Sequence, residues 1–159
     1  KVGENDLVGL DRAIEAADEL GKPTMIHIGG SVSSCDKFLE KLRPGDIVTH
    51  SFTGGPNGIL DNNNKVIDAA WDAMNRGIIF DVGHGAGSFS FPVAESSLEQ
   101  GLGPGTVSSD VLRYNVRGPV FDFTTTLSKY IHLGYKIDDA IERSTSRRAA
   151  SVGFSATVG

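Results

Sequence analysis

Asp46-Ile47-Val48-Thr49-His50 is a short apolar run that ends in a histidine, and it opens into Ser51-Phe52-Thr53-Gly54-Gly55-Pro56-Asn57-Gly58, which is dense in turn formers. With Pro44-Gly45 before it and that loop after it, the run reads as a buried strand feeding a turn-rich segment. The same design recurs on both sides. Upstream, Thr24-Met25-Ile26-His27-Ile28 ends in Gly29-Gly30; downstream, Ile78-Ile79-Phe80-Asp81-Val82 ends in Gly83-His84-Gly85. Thr106-Val107-Ser108-Ser109-Asp110 is the fourth such run.

Helical patterns fill the intervals. Leu7, Leu10, Ala13, Ile14, Ala17 and Leu20 follow the 3.6 period behind a possible Asn5 cap, and Gly21 stops them. Ser33 or Ser34 can cap a second helix through Phe38, Leu39 and Leu42, and further helices are predicted over 65–76, 92–100, 121–133 and 137–150. Strand starts near 24, 46, 78 and 106 stand 22, 32 and 28 residues apart, the spacing of strand–helix units. Parallel strands follow. Their nearly continuous apolar character requires cover on both faces, which leaves a (β/α) barrel or an open doubly wound sheet. A full eight-stranded barrel takes about 250 residues, and four strands are visible here. The expectation is therefore the C-terminal half of a barrel over 1–153, cut from a longer polypeptide, with 154–159 as the start of a tail.

Composition narrows the function. The 159 residues carry a net charge of −5, with 39% apolar and 22% charged residues, as in a globular unit with a core. The Lys and Arg residues are scattered, so the footprint of a nucleic-acid binder is missing. No apolar run approaches the roughly 20 residues of a membrane helix, and Lys1-Val2-Gly3-Glu4 has no signal-peptide core, so a cytoplasmic protein without membrane contact is expected. The single cysteine, Cys35, excludes an internal disulfide.

His27, His50 and His84 fall at or just beyond the C-terminal ends of predicted strands, and Asp110 ends the fourth. That edge of a parallel β/α unit builds active sites. Imidazole and carboxylate are the ligands a zinc-type cation takes, so a metal site is the sharp reading. Each residue also has a structural one: His27 and His50 as satisfied core histidines, His84 in a glycine-rich loop, Asp110 as a cap. Arg113, in the polar loop after Asp110, could hold a substrate carboxylate bidentately or stay solvated. Asn57, in the loop after His50, is a candidate substrate contact, although that loop could equally be a surface turn.

Taken together, Met25-Ile-His-Ile-Gly-Gly, Pro44-Gly-Asp-Ile-Val-Thr-His-Ser-Phe, Pro56-Asn-Gly-Ile-Leu-Asp, Phe80-Asp-Val-Gly-His-Gly, Ser108-Ser-Asp and Gly118-Pro-Val-Phe-Asp-Phe-Thr-Thr-Thr-Leu-Ser-Lys resemble the amidohydrolase superfamily. More narrowly, they resemble its dihydroorotase-like amidohydrolase/deacetylase metallohydrolases. The resemblance implies a TIM-like (β/α)8 barrel with a small flanking β domain, this chain covering roughly strands 5 to 8. It implies that His27 and His50 bind a divalent metal, zinc as one or two ions, and that Asp110 is both a ligand and the proton shuttle. His84 would face substrate. The family's strand-1 His-x-His pair has no counterpart here, and Lys1 is not assigned as its strand-4 lysine.

The reaction implied is metal-assisted hydrolysis of an amide or ester, with deacetylation of an N-acyl amino acid or an acylated hydroxy acid foremost and cyclic amides of the dihydroorotate kind the close alternative. The expected partners are a small acylated substrate, the missing N-terminal barrel half and further copies of the chain in a homo-oligomer. Two other classes compete: a metal-free (β/α) enzyme using His84 as acid or base, and a catalytically incomplete half-barrel serving as a binding module.

Overall fold

The computed structural model describes residues 3–154. A 3-10 turn at Gly3–Asn5 leads into α1 (Asp6–Leu20), followed by β1 (Met25–His27), α2 (Cys35–Lys41), β2 (Ile47–Thr49), α3 (Asp68–Asn75), β3 (Ile79–Phe80), α4 (Phe91–Glu99), α5 (Phe123–His132), α6 (Ile137–Ser144) and α7 (Ser146–Ser151). The strands form one parallel sheet in the order β1-β2-β3, with Met25 opposite Ile47 and Ile47 opposite Ile79. The chain is thus an α/β unit with a parallel sheet, as the strand–helix spacing predicts.

Two predicted elements differ. The strand expected over 106–110 reduces to a parallel bridge between Asp81 and Thr106. Its alignment survives in hydrogen bonds: the N–H groups of Val82, His84 and Gly85 donate to the carbonyls of Thr106, Ser108 and Ser109. Regular pairing is interrupted because the residues next to the bridge turn left-handed, Gly83 at φ 48° and Gly85 at φ 59°. The helix expected over 137–150 breaks into α6 and α7 at Thr145, whose φ of −121° and ψ of −90° are not helical. Of the expected 154–159 tail, residues 155–159 lie outside the described residues.

The core runs between sheet and helices. Val48 and Phe80 from the sheet and Val82 just beyond β3 join Leu39, Ala70, Ala73 and Leu102, all nearly or fully buried. At the crossing of α2 and α3, Arg76 donates to the carbonyls of Leu39 and Leu42 at 2.7 Å each, so its guanidinium closes the C-terminal end of α2. Cys35 is buried at the start of α2, and desolvation pushes its thiol up to about 12, which makes it an inert core residue.

The two ends of the sheet carry different chemistry. At the N-terminal end, buried Asp46 accepts from the Thr24 N–H at 2.7 Å and the Arg43 N–H at 2.8 Å while pairing with the Arg43 guanidinium. At the C-terminal end, Asp81 is 2% exposed, and its carboxylate accepts from Thr49 Oγ1 (2.8 Å), Thr106 Oγ1 (2.7 Å) and Ser108 Oγ (2.5 Å). One buried anion thus joins β2, β3 and the 106–108 segment.

Removing that anion strands three hydroxyls in the interior. Asp81→Ala is expected to lower stability by roughly 2–4 kcal/mol, read as a reduced midpoint in urea unfolding. Asp81→Asn, which keeps one acceptor oxygen, should fall between it and the wild type.

Candidate functional site

His27 is the last residue of β1, and His50 follows β2 directly. Register places His27 beside Thr49, so His50 lies one residue beyond it on the neighbouring strand. The two rings meet edge to face, with centroids 4.1 Å apart and planes at 75°. His50 is 4% exposed and left-handed, at φ 67°. Its Nδ1 is hydrogen-bonded to the Gly83 carbonyl oxygen. A carbonyl can only accept, so Nδ1 is the donor in this contact.

Glycine at 83 is a steric requirement of this contact. A Cβ there would collide with Thr49 Oγ1 and stand 2.9 Å from His50 Nδ1, on a backbone at φ 48° that disfavours any side chain. Beside His27 an apolar cavity of about 420 Å³ opens between α1, β1 and α2, lined in part by Leu10, Ala13, Ile26, Val32 and Phe38.

His84 is 3% exposed and stacks on Phe89, centroids 4.6 Å apart and planes at 9°. Both ring nitrogens are engaged: Nδ1 with the Gly85 carbonyl at 2.8 Å, Nε2 with Lys129 Nζ at 2.8 Å. Burial holds its pKa below the ordinary value, the Lys129 charge adds to the shift, and the Gly85 bond opposes it. The ring is therefore neutral near pH 7, with Nδ1–H donating and Nε2 accepting. Lys129 also donates to the Pro119 carbonyl at 2.6 Å, and burial lowers its pKa too.

Asp110 is exposed and left-handed, at φ 46°. Fully buried Asn115 fixes that turn: its Nδ2 donates to the Asp110 carbonyl at 2.9 Å, and its Oδ1 accepts the Leu112 N–H at 2.6 Å. The Asp110 carboxylate leans over Gly85, where a Cβ would come within 2.8 Å of Oδ2. Asn57 donates to the Ser31 carbonyl at 2.8 Å and, together with the Gly30 N–H donating to Pro56 O, ties the 51–60 loop to the 29–33 loop. Arg113 is exposed on the turn after Asp110.

Of the expected ligands, the structure brings His27 and His50 into contact. Among the described residues, no three His, Cys, Asp or Glu side chains converge as a metal-holding group, so Asp110 stands apart from that pair. Sequence reasoning missed Asp81, Asn115 and Lys129. A carboxylate inside the apolar run 78–82 was a visible signal for Asp81, whereas Lys129 on a helix looks like any solvated lysine.

A parallel α/β unit that carries histidines at the C-terminal ends of its strands has the arrangement from which β/α enzymes build their sites. No family model matches the chain. It is 39% identical over 151 residues to a deacetylase of Enterococcus faecalis, an alignment covering 93% of this chain and 41% of that protein. In fold it matches the crystal structure of an adenine deaminase with a TM-score of 0.89 at 38% identity, covering 94% of this chain and 41% of that one. It also matches the crystal structure of a dihydroorotase with a TM-score of 0.79 at 35% identity, covering 86% and 37%. Over most of its length the chain is thus similar, in sequence and fold, to members of the amidohydrolase superfamily. It spans about two fifths of the length of that deacetylase. Among the described residues no helix is long and apolar enough to cross a membrane.

Two outcomes test this geometry. Gly83→Ala should destabilise the protein by at least about 2 kcal/mol and release the His50 ring, seen as a mixed tautomer in imidazole ¹⁵N spectra. In an NMR titration, His84 should take up its proton below the ordinary histidine value of 6.5. Because the unfolded chain protonates first, His84's contribution to stability is complete above about pH 7 and is lost as pH falls through 6.5 towards the native His84 pKa.

Proposed function

We propose that the chain is the C-terminal half of the catalytic barrel of a divalent-metal-dependent amidohydrolase that removes the acyl group from an N-acyl amino acid or an acylated hydroxy acid. The observation that carries this reading is the hydrogen bond between His50 Nδ1 and the Gly83 carbonyl oxygen. A buried imidazole whose Nδ1–H is spent on a backbone carbonyl, with Nε2 left as a donor atom beside a second imidazole, is the arrangement of a metal-ligating histidine. The deacetylase name of the Enterococcus relative favours acyl removal, and the dihydroorotase neighbour keeps cyclic amides as the second reading.

In this proposal His27 and His50 hold the cation, with Asp110 a further ligand in the assembled barrel. A zinc-type cation, when bound, acidifies water and polarises a carbonyl. Asp110 then works as the general base: it takes the proton from the attacking water and returns it to the leaving nitrogen or oxygen as the tetrahedral carbon collapses. Its exposed position beyond the sheet, held by Asn115, suits a carboxylate that must serve two partners in turn. His84, neutral and doubly bonded, shapes the wall of the site next to the Asp110 carboxylate.

The barrel reading also makes β1 an internal strand, paired on its outer side by a preceding strand of the whole protein, because an open parallel edge is a liability. A cytoplasmic homo-oligomer is part of the same proposal.

The intact protein should contain at least one equivalent of zinc-type metal by elemental analysis. His27→Ala and His50→Ala should each weaken metal retention by about 100-fold or more, beyond the loss usual for outer-shell partners. Asp110→Asn should keep the metal but lose roughly 10²–10⁴ in kcat. A metal-loaded protein that hydrolyses no N-acyl amino acid, acyl ester or cyclic amide would overturn the proposal.

A further inference from the structure

Lys129 has three N–H donors and spends two of them on neutral acceptors, His84 Nε2 and the Pro119 carbonyl. Among the described residues no carboxylate lies within ion-pair distance of it. The contrast with the partly buried arginines is plain: Arg43 pairs with Asp46, Arg76 with Asp72 and Arg143 with Asp139. In a chain with 20 acidic and 15 basic residues, a half-buried ammonium without a counter-ion is the exception. Desolvated charge is unfavourable until it is paired, so this cation favours an anion at its third N–H.

Its position places that anion at the site. Lys129 lies on α5 and bridges the two loops that leave the C-terminal end of the sheet, the one carrying His84 and the one that follows Asp110. Gly85, next to His84, is the residue against which the Asp110 carboxylate leans. His84 accepts from Lys129 and adds no charge of its own. Arg113, the cation expected from sequence to hold a carboxylate, is instead exposed on the loop.

We propose that Lys129 is the substrate's carboxylate anchor, its third N–H receiving the carboxylate that lies one carbon from the acylated nitrogen or oxygen; this rests on the hydrolase reading above for the identity of the substrate. It makes Lys129 a specificity residue that separates acylated amino and hydroxy acids from neutral amides and esters.

Two measurements on the intact protein test it. The first follows the His84 ring ¹⁵N signals while sodium acetate or acetamide is added. Acetate should shift them saturably in the wild type, Lys129→Met should weaken that response at least tenfold, Lys129→Arg should retain it, and acetamide should give none. The second compares KM for an N-acetyl amino acid and for its carboxamide on metal-loaded protein. Lys129→Met should raise KM for the acid at least tenfold and change that for the carboxamide less than twofold. Lys129→Gln repeats both measurements if the methionine variant is unstable.

An acetate response that is absent, that survives Lys129→Met, or that is lost in Arg113→Ala instead would overturn the anchor. So would equal losses on acid and carboxamide. Acetate binding through Lys129 in a protein without hydrolase activity would leave the anchor standing and overturn the hydrolase reading. Hydrolysis indifferent to Lys129 would do the reverse.

Discussion

The buried carboxylate of Asp81 is the constraint on which the C-terminal end of this sheet depends. The strands are two or three residues long, so their ladders supply few hydrogen bonds to hold adjacent ends in register. Asp81 makes up for this with its side chain, which accepts from Thr49, Thr106 and Ser108, and with its carbonyl, which accepts from the N–H and Oγ of Ser51. Taking a carboxylate out of water is unfavourable, and only a full set of donors offsets it. Three neighbouring segments must therefore arrive together.

What Asp81 brings together, the next residues turn into a site. His50 stands one residue past its donor Thr49, Asp110 two past Ser108, and His84 three past Asp81 itself. The chain leaves the sheet through left-handed backbone at His50, Gly83, Gly85 and Asp110. Such conformations are disfavoured for residues with side chains, and they persist where surrounding contacts over-determine them. Here the contacts are identifiable: the Gly83 carbonyl on His50 and the Asn115 amide on Asp110.

The opposite end of the sheet shows what a purely structural solution looks like. Asp46 is as buried as Asp81, but it is neutralised by Arg43 on its own turn. At the C-terminal end hydroxyls do the satisfying and the cation nearby, Lys129, pairs with no carboxylate among the described residues. The polar groups of one end are consumed by folding, whereas the other carries the His50 imidazole, the Asp110 carboxylate and the third N–H of Lys129.

Much of this was legible from the chain alone. Apolar runs at strand–helix spacing determined a parallel α/β unit, and histidines repeated at one register marked the edge where His27 and His50 meet, because both signals are local periodicities that packing must respect. The short strands, the collapse of 106–110 to a single bridge and the break at Thr145 were not legible, since propensity does not record where the backbone must turn to make distant contacts. The Nδ1 contact of His50, the neutrality of His84 and the place of Lys129 belonged wholly to tertiary structure. The neutrality of His84 rests on burial, and the other two rest on hydrogen bonds between residues 33 or 45 positions apart; a spacing of that size has no signature in sequence, and only the fold decides which carbonyl meets Nδ1 and which lysine reaches Nε2.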